Sequence, residues 1–285
     1  MSEPWCVILG SRLDGQHRGA KGERDPSDRS RPERASSANA MLAATLRRAA
    51  TVTSLDRVAA VFASPPDRWR ENPLKHVDTA NLFVQPEHKG TAYEVLFALL
   101  MVEKRAASET PVIFLPPDHL VDDEEVVSNA LMTMAEWIVD EPAPVYLLGA
   151  VPQGPHDKLG YIVPWHDAML TPAGVYEFVE RPDIHRARQL ISAGGLWNTF
   201  IFGGTISALL KLFQPRFDAT IAEFRAALQG SSNELELART YAHLRAADFS
   251  QEMLAKQSCS LNVLRLLRCG WWPLKSPTLS RERRA

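Results

Sequence analysis

Short apolar runs alternate with amphipathic stretches through the first two thirds of this chain, and that alternation limits its fold more than any other feature. Strand candidates are residues 5–9, 58–63, 82–85, 112–115 and 145–151. Each is too short to be a free-standing helix. Helical patterns lie between them. From Val127, apolar residues recur at Ala130, Leu131, Met134, Trp137 and Ile138, one stripe of a 3.6-residue period. Thr91 and Glu94 have capping-box spacing ahead of Val95, Phe97 and Leu99, which predicts a second helix from Thr91. A third follows Pro182, turns Ile184, Ala187, Leu190 and Ile191 inward, and stops at Gly194-Gly195. Strand–helix–strand repetition predicts an α/β fold with a doubly wound, mostly parallel, Rossmann-like sheet covered by helices on both faces. Such sheets bind ligands beyond the carboxyl ends of their strands.

The 285 residues read as a single domain, with residues 10–37 as an irregular exposed loop and 275–285 as a polar tail. A formal charge of −2 gives no electrostatic reason to expect nucleic acid or an anionic membrane as partner. The apolar run 95–102 is too short to span a bilayer, and the N-terminal residues lack the pattern of a signal peptide. Cys6, Cys259 and Cys269 form no Cys-x-x-Cys pair and read as free thiols. These features predict a cytoplasmic protein.

Several familiar chemistries find no support. The eight histidines never take zinc-ligand spacing with one another or with cysteine. Neither a Gly-x-Ser-x-Gly elbow nor a Gly-x-x-x-x-Gly-Lys-Ser/Thr loop occurs. The acidic run Asp122-Asp-Glu-Glu125 lies at the start of the helix beginning near Val127, where acids favour the helix dipole, so it does not read as an Asp-x-Asp metal motif.

The most informative segment is Val112-Ile-Phe-Leu-Pro-Pro-Asp-His119, an apolar strand running into a turn that presents Asp118. A carboxylate there offers Mg²⁺ a hard oxygen ligand beside nucleotide phosphates. An isolated Asp after a strand is more often a turn cap, but four other segments accompany this one in order. Gln85-Pro-Glu-His-Lys-Gly-Thr-Ala92 lies upstream. Leu159-Gly-Tyr-Ile162, Phe178-Val-Glu-Arg-Pro182 and Gly195-Leu-Trp-Asn198 lie downstream. Together they resemble, in order and spacing, the signatures of bacterial mannose-1-phosphate guanylyltransferases, over roughly residues 80–205.

The resemblance implies a fold of the nucleotide-diphospho-sugar transferase type and a role for each matched residue. Asp118 would hold the catalytic Mg²⁺, and Arg12 would reach a phosphate. Gln85, Gly90 and Thr91 would meet the purine. Gly160 would let the sugar approach the backbone, and Glu180 and Asn198 would bond its hydroxyls. The implied reaction transfers a nucleotidyl group from a nucleoside triphosphate (GTP) to a hexose 1-phosphate (mannose 1-phosphate), releasing pyrophosphate. The chain departs from the family pattern at three places. Val7-Ile-Leu9 runs directly into Gly10-Ser-Arg-Leu13 without the expected Ala-Gly-Gly-x stretch. Pro32-Glu33 stands where a Pro-Lys pair belongs, with Lys21 as a conceivable substitute. Pro273 takes the place of the aspartate of the family's Gly-Trp-x-Asp. The alternative reading is therefore a catalytically impaired paralogue that binds a sugar nucleotide or regulates.

Overall fold

The computed structural model describes residues 3–10, 31–63, 73–169, 171–214, 216–229 and 233–273, with the backbone alone for 31–38, 233 and 273. Eleven strands are β1 (Trp5–Leu9), β2 (Val58–Phe62), β3 (Leu82–Val84), β4 (Pro111–Leu115), β5 (His119–Leu120), β6 (Val145–Ala150), β7 (Gly160–Pro164), β8 (Ala173–Glu180), β9 (Leu196–Thr205), β10 (Leu261–Leu266) and β11 (Trp272–Pro273). The helices are α1 (Arg31–Ala49), α2 (Thr91–Glu103), α3 (Glu124–Asp140), α4 (Ile184–Ser192), α5 (Ile206–Phe213), α6 (Asp218–Gln229), α7 (Asn233–His243) and α8 (Phe249–Glu252).

The main sheet has nine strands in the order β3-β2-β1-β4-β9-β6-β10-β8-β7. Its first four strands are mutually parallel, as the sequence pattern predicts. Chain order reverses between β1 and β4, which makes a switch point at the carboxyl ends of these two strands. Beyond β4 the sheet is more mixed than the sequence suggests. β9 runs antiparallel to β4, β6 and β7, while β10 is parallel to β6. β7 and β8 are antiparallel neighbours because the link from Pro164 to Ala173 is too short for a parallel crossover. Pairings also run β9–β6–β10–β8–β7 and return to β9, so this half of the sheet closes on itself.

Apolar residues fill both faces. One core layer joins α2, α5, α6 and α7 to the sheet through Phe97, Phe114, Phe202, Phe224 and Tyr241. The other joins α1, α3 and α4 through Leu42, Leu131, Ile138, Leu190 and Ile201. On α3 the expected stripe is buried at Val127, Leu131, Met134 and Ile138, and Ala130 and Trp137 flank it. Asp123 caps that helix by accepting from the Glu125 and Val126 amides. On α4, Asp183 accepts from the Arg186 amide, and the helix ends where Gly194 takes a φ of 81°. None of the described helices is long and apolar enough to cross a membrane.

Two expectations need correction. Residues 31–37, read as part of an exposed loop, open α1 instead. Pro32 sits in the first helical turn, where its missing N–H costs nothing, and the alanine-rich run that follows is strongly helix-forming. Residues 11–30, with Arg12 and Lys21, lie outside the described residues, as do 274–285. The capping box at Thr91 and Glu94 also does not form. Gly90 is the N-cap and caps with no side chain, while Glu94 is fully buried.

The Thr91 hydroxyl instead accepts the Phe249 amide at 2.8 Å. Ala247 bonds on both sides, donating to the Lys89 carbonyl at 2.9 Å and accepting from the Ala92 amide at 3.1 Å. Residues 247–249 thus form a strap across the entrance of α2. Gly90 is required by that strap. Its φ is 99°, and a Cβ there would lie 2.2 Å from the Ala247 carbonyl oxygen.

Arg48 of α1 is buried and grips Glu124 at the head of α3 through two bonds of 2.6 and 2.7 Å. Replacing Glu124 by Ala strands a buried guanidinium and is expected to cost about 2–3 kcal/mol in urea unfolding. Arg48→Met, which removes the charge and keeps the stem, should cost clearly less. Gly90→Ala combines a backbone conformation essentially reserved for glycine with a clash against main chain. It should lose about 2 kcal/mol or more and accelerate hydrogen exchange at the Ala92 amide by a larger factor than in β1.

Candidate nucleotide and sugar site

The residues singled out in the sequence gather at the carboxyl edge of the parallel strands, in three groups. The first is the turn between β3 and α2. The Gln85 amide donates to the Phe62 carbonyl at 2.7 Å, extending the β2–β3 ladder by one bond. Its side chain is 1% exposed and accepts a 3.1 Å bond from the Tyr241 hydroxyl. The Gln85 carboxamide is therefore directed into the protein, and the outward parts of this turn are its backbone and residues 86–89. The close approach permitted by Gly90 is made by Ala247 of the same chain.

The second group surrounds Asp118, just beyond β4. Asp118 is buried, and its Oδ1 lies 3.9 Å from Nε2 of His119. The His119 ring packs edge-on against Trp271 at 5.0 Å, which fits a packing role for this histidine. The final described segment folds back here. The Cys269 carbonyl accepts the amides of Asp122 and Asp123 at 2.9 and 3.1 Å, and β11 pairs antiparallel with β5. Gly270 has a φ of 62°, and a Cβ on it would collide with the Asp122 carboxylate. Burial pushes the Cys269 thiol up to about 11, so it is a packing group and not a nucleophile at neutral pH.

In the β5–β11 register, residue 273 stands opposite His119, next in sequence to Asp118. The second carboxylate of the family pattern would come from this position, and proline supplies no ligand. Among the described residues, no three His, Cys, Asp or Glu side chains gather to hold a metal ion. Asp118 alone fits a Mg²⁺ that arrives on nucleotide phosphates, since Mg²⁺ is commonly held by one or two carboxylates plus phosphate and water. It does not amount to a metal cage made by the protein.

The third group draws on three strands. Gly160 opens β7, Glu180 ends β8 opposite it, and Asn198 lies near the start of β9. A Cβ on Gly160 would lie 2.5 Å from Glu180 Oε2 and 3.3 Å from the Asn198 Cβ, so the three are in contact. Glu180 is mostly buried while its Oε1 pairs with Arg181 Nε at 3.3 Å. Asn198 Oδ1 accepts the Phe200 amide at 3.0 Å, an arrangement that orients the carboxamide and directs its NH₂ group elsewhere. Phe200 has a φ of 60° inside a strand, and the β6–β9 register shifts at this point. Thr199 fastens the bulge by donating to the Leu148 carbonyl at 2.6 Å and accepting the Ile201 amide at 3.2 Å. Backbone strain of this kind concentrates at ligand sites.

Sequence reasoning missed several residues that build these groups. Arg181 has a φ of 50° beside Glu180, and neither it nor Phe200 is a residue type that announces a left-handed conformation. Tyr241 and the 247–249 strap lie far along the chain from the turn they hold. Asp248, within the strap, caps α8 by accepting the Gln251 amide at 3.0 Å.

Known proteins share sequence and fold with this chain. The nucleotidyl transferase family matches residues 36–241. The alginate biosynthesis protein AlgA of Pseudomonas putida is 31% identical over 129 residues, 44% of this chain and 26% of that protein. A mannose-1-phosphate guanylyltransferase of Escherichia coli is 30% identical over 161 residues, covering 54% of this chain and 34% of that one. The chain thus spans about a quarter to a third of the length of these relatives. Among solved structures, a mannose-1-phosphate geranyltransferase from Thermus thermophilus superposes with a TM-score of 0.72 at 23% identity, covering 95% of this chain and 76% of that one. A mannose-6-phosphate isomerase from Helicobacter pylori gives 0.68 at 15% identity over 95% of this chain and 100% of that one. These two establish likeness of fold. With more than half its length matched by the family, this chain is a member of the nucleotidyl transferase family.

Proposed function

We propose that this chain binds a guanosine nucleotide and mannose 1-phosphate at the carboxyl edge of its sheet and joins them, releasing pyrophosphate. The observation that carries this reading is the contact among Gly160, Glu180 and Asn198, drawn from three strands to the edge that also presents Asp118. In this reading an oxygen of the sugar phosphate attacks the α-phosphorus of the triphosphate. The bond from that phosphorus to the bridging oxygen breaks, and pyrophosphate departs with the electron pair.

Each residue then has a defined task. Glu180 accepts hydrogen bonds from sugar hydroxyls, and the Asn198 NH₂ group donates to one. Gly160 leaves room for the Glu180 carboxylate to lie close against its backbone, where it can face the sugar. The turn from Gln85 to Thr91 meets the purine through its backbone, and Arg12 reaches a phosphate oxygen. Asp118 would hold Mg²⁺, which would supply neutralisation of the phosphate charge. The protein's part is to hold donor and acceptor in line, which needs no covalent intermediate.

One observation favours a second reading. Proline at 273, set beside the Asp118 segment by the β5–β11 pairing, withholds the second carboxylate. A paralogue that keeps the sugar-nucleotide pocket and has lost turnover would look like this.

Pyrophosphate release across a panel of triphosphates and sugar 1-phosphates separates the two. The first reading expects Mg²⁺-dependent turnover with GTP and mannose 1-phosphate that falls about a hundredfold or more in Asp118→Ala. Turnover no higher than that variant in every combination would rule it out. Under the second reading, GDP-mannose raises the melting temperature with no chemistry. Asn198→Ala should raise the KM for the sugar phosphate about tenfold and leave the KM for the nucleotide unchanged. Equal changes in both would separate Asn198 from the sugar.

A further inference from the structure

The turn from Gln85 to Ala92 is held at both ends by one distant stretch of chain. At its start, the Gln85 side chain accepts the Tyr241 hydroxyl at 3.1 Å, across 156 positions of sequence. At its end, Lys89, Thr91 and Ala92 are bonded to Ala247 and Phe249. Tyr241 is itself tightly fixed. Its ring is 1% exposed, stacks on Phe224 at 5.2 Å with an interplanar angle of 16°, and meets Phe97 edge-on at 6.3 Å. Burial and the nearby Glu94 carboxylate hold its hydroxyl well above the usual phenol range, so it stays a neutral donor.

A fixed donor bonded to the side-chain carboxamide oxygen of the residue that opens a recognition turn helps set where that turn sits. Displacements of about 1 Å in such positioning elements change binding and rate by large factors. We propose that Tyr241 is a positioning residue for nucleobase selection, acting through Gln85 on the turn that meets the purine. Removing its hydroxyl takes one hold from the Gln85 side chain, while the Gln85 backbone stays on the β2–β3 ladder and the 247–249 strap still holds the other end of the turn. The turn then keeps its general course and loses its register against the base. This inference rests on the proposed function, in which residues 85–91 contact the nucleobase.

The test is calorimetric titration of the full chain with Mg²⁺-GTP, Mg²⁺-ATP and mannose 1-phosphate separately, for wild type and Tyr241→Phe. The phenylalanine keeps the ring stack and removes the donor. The expected result is GTP affinity weaker by about tenfold, a smaller preference for GTP over ATP, and unchanged affinity for mannose 1-phosphate. A double-mutant cycle with Gln85→Met adds a readout that general loosening would not produce, because the two changes should be non-additive. Unaltered GTP affinity and preference in Tyr241→Phe would overturn the inference alone. So would equal weakening of all three ligands, or additive effects in the cycle. If the wild-type chain binds neither purine nucleotide, the proposed function fails first, and this inference falls with it.

Discussion

Everything at the sheet's carboxyl edge depends on β9 being inserted, antiparallel and wholly buried, between β4 and β6. A parallel set of four strands ends at β4, and β9 is what couples it to the closed group of β6, β10, β8 and β7. Reversed direction brings the start of β9, and so Asn198, to the edge where β4 delivers Asp118. Pairing with β7 then sets Gly160 and Glu180 against Asn198. The close fit leaves no room for side chains in two places along the strand and its neighbour. A Cβ on Gly203 would meet Ile138 and the Val112 carbonyl at 2.9 Å, and one on Gly149 would meet Leu196 at 2.8 Å. Two glycines thus permit the packing on which the site's geometry rests.

Around this frame, the chain returns twice to segments that it laid down much earlier. Residues 247–249 hold the entrance of α2, and residues 269–273 lie along the segment that follows Asp118. The second return uses backbone hydrogen bonds, which fix position without demanding particular side chains. That explains how the second return can preserve its course while carrying proline where the family pattern has a carboxylate. In the proposed reading, fold and pocket rest on one set of interactions and metal affinity on another. Loss of the second set leaves the first intact, which is why binding and turnover have to be tested separately.

The parallel half of the sheet was legible in the sequence because its strands are short, continuous apolar runs. The expected limits differ from those observed by a residue or so at β2, β3, β4 and β6. α3 and α4 were equally plain, since each carries an apolar stripe, with an acidic run opening α3 and with Pro182 and Gly194-Gly195 bounding α4. The antiparallel half was not legible. β9 reads as an ordinary apolar stretch, and its direction and bulge follow from partners far away in sequence. The start of α1 was obscured by the proline and charges around residue 33. At the candidate site, the residues matched from Gln85 to Asn198 fall at one edge of the sheet. They gave no sign that the Gln85 side chain turns inward or that Gly90 answers to Ala247, since both depend on the later strap.

The central claim of the proposed function is that the β3–α2 turn, the segment around Asp118, and Gly160, Glu180 and Asn198 together receive a guanosine sugar nucleotide. Hydrogen-exchange mass spectrometry of the full chain with and without GDP-mannose tests it most directly. The account predicts slowed exchange in peptides covering residues 85–92, 116–120, 159–162, 178–182 and 196–200, with little change in α6 and at the amino ends of β1 and β4. Protection confined to other surfaces, or none at saturating ligand, would contradict it.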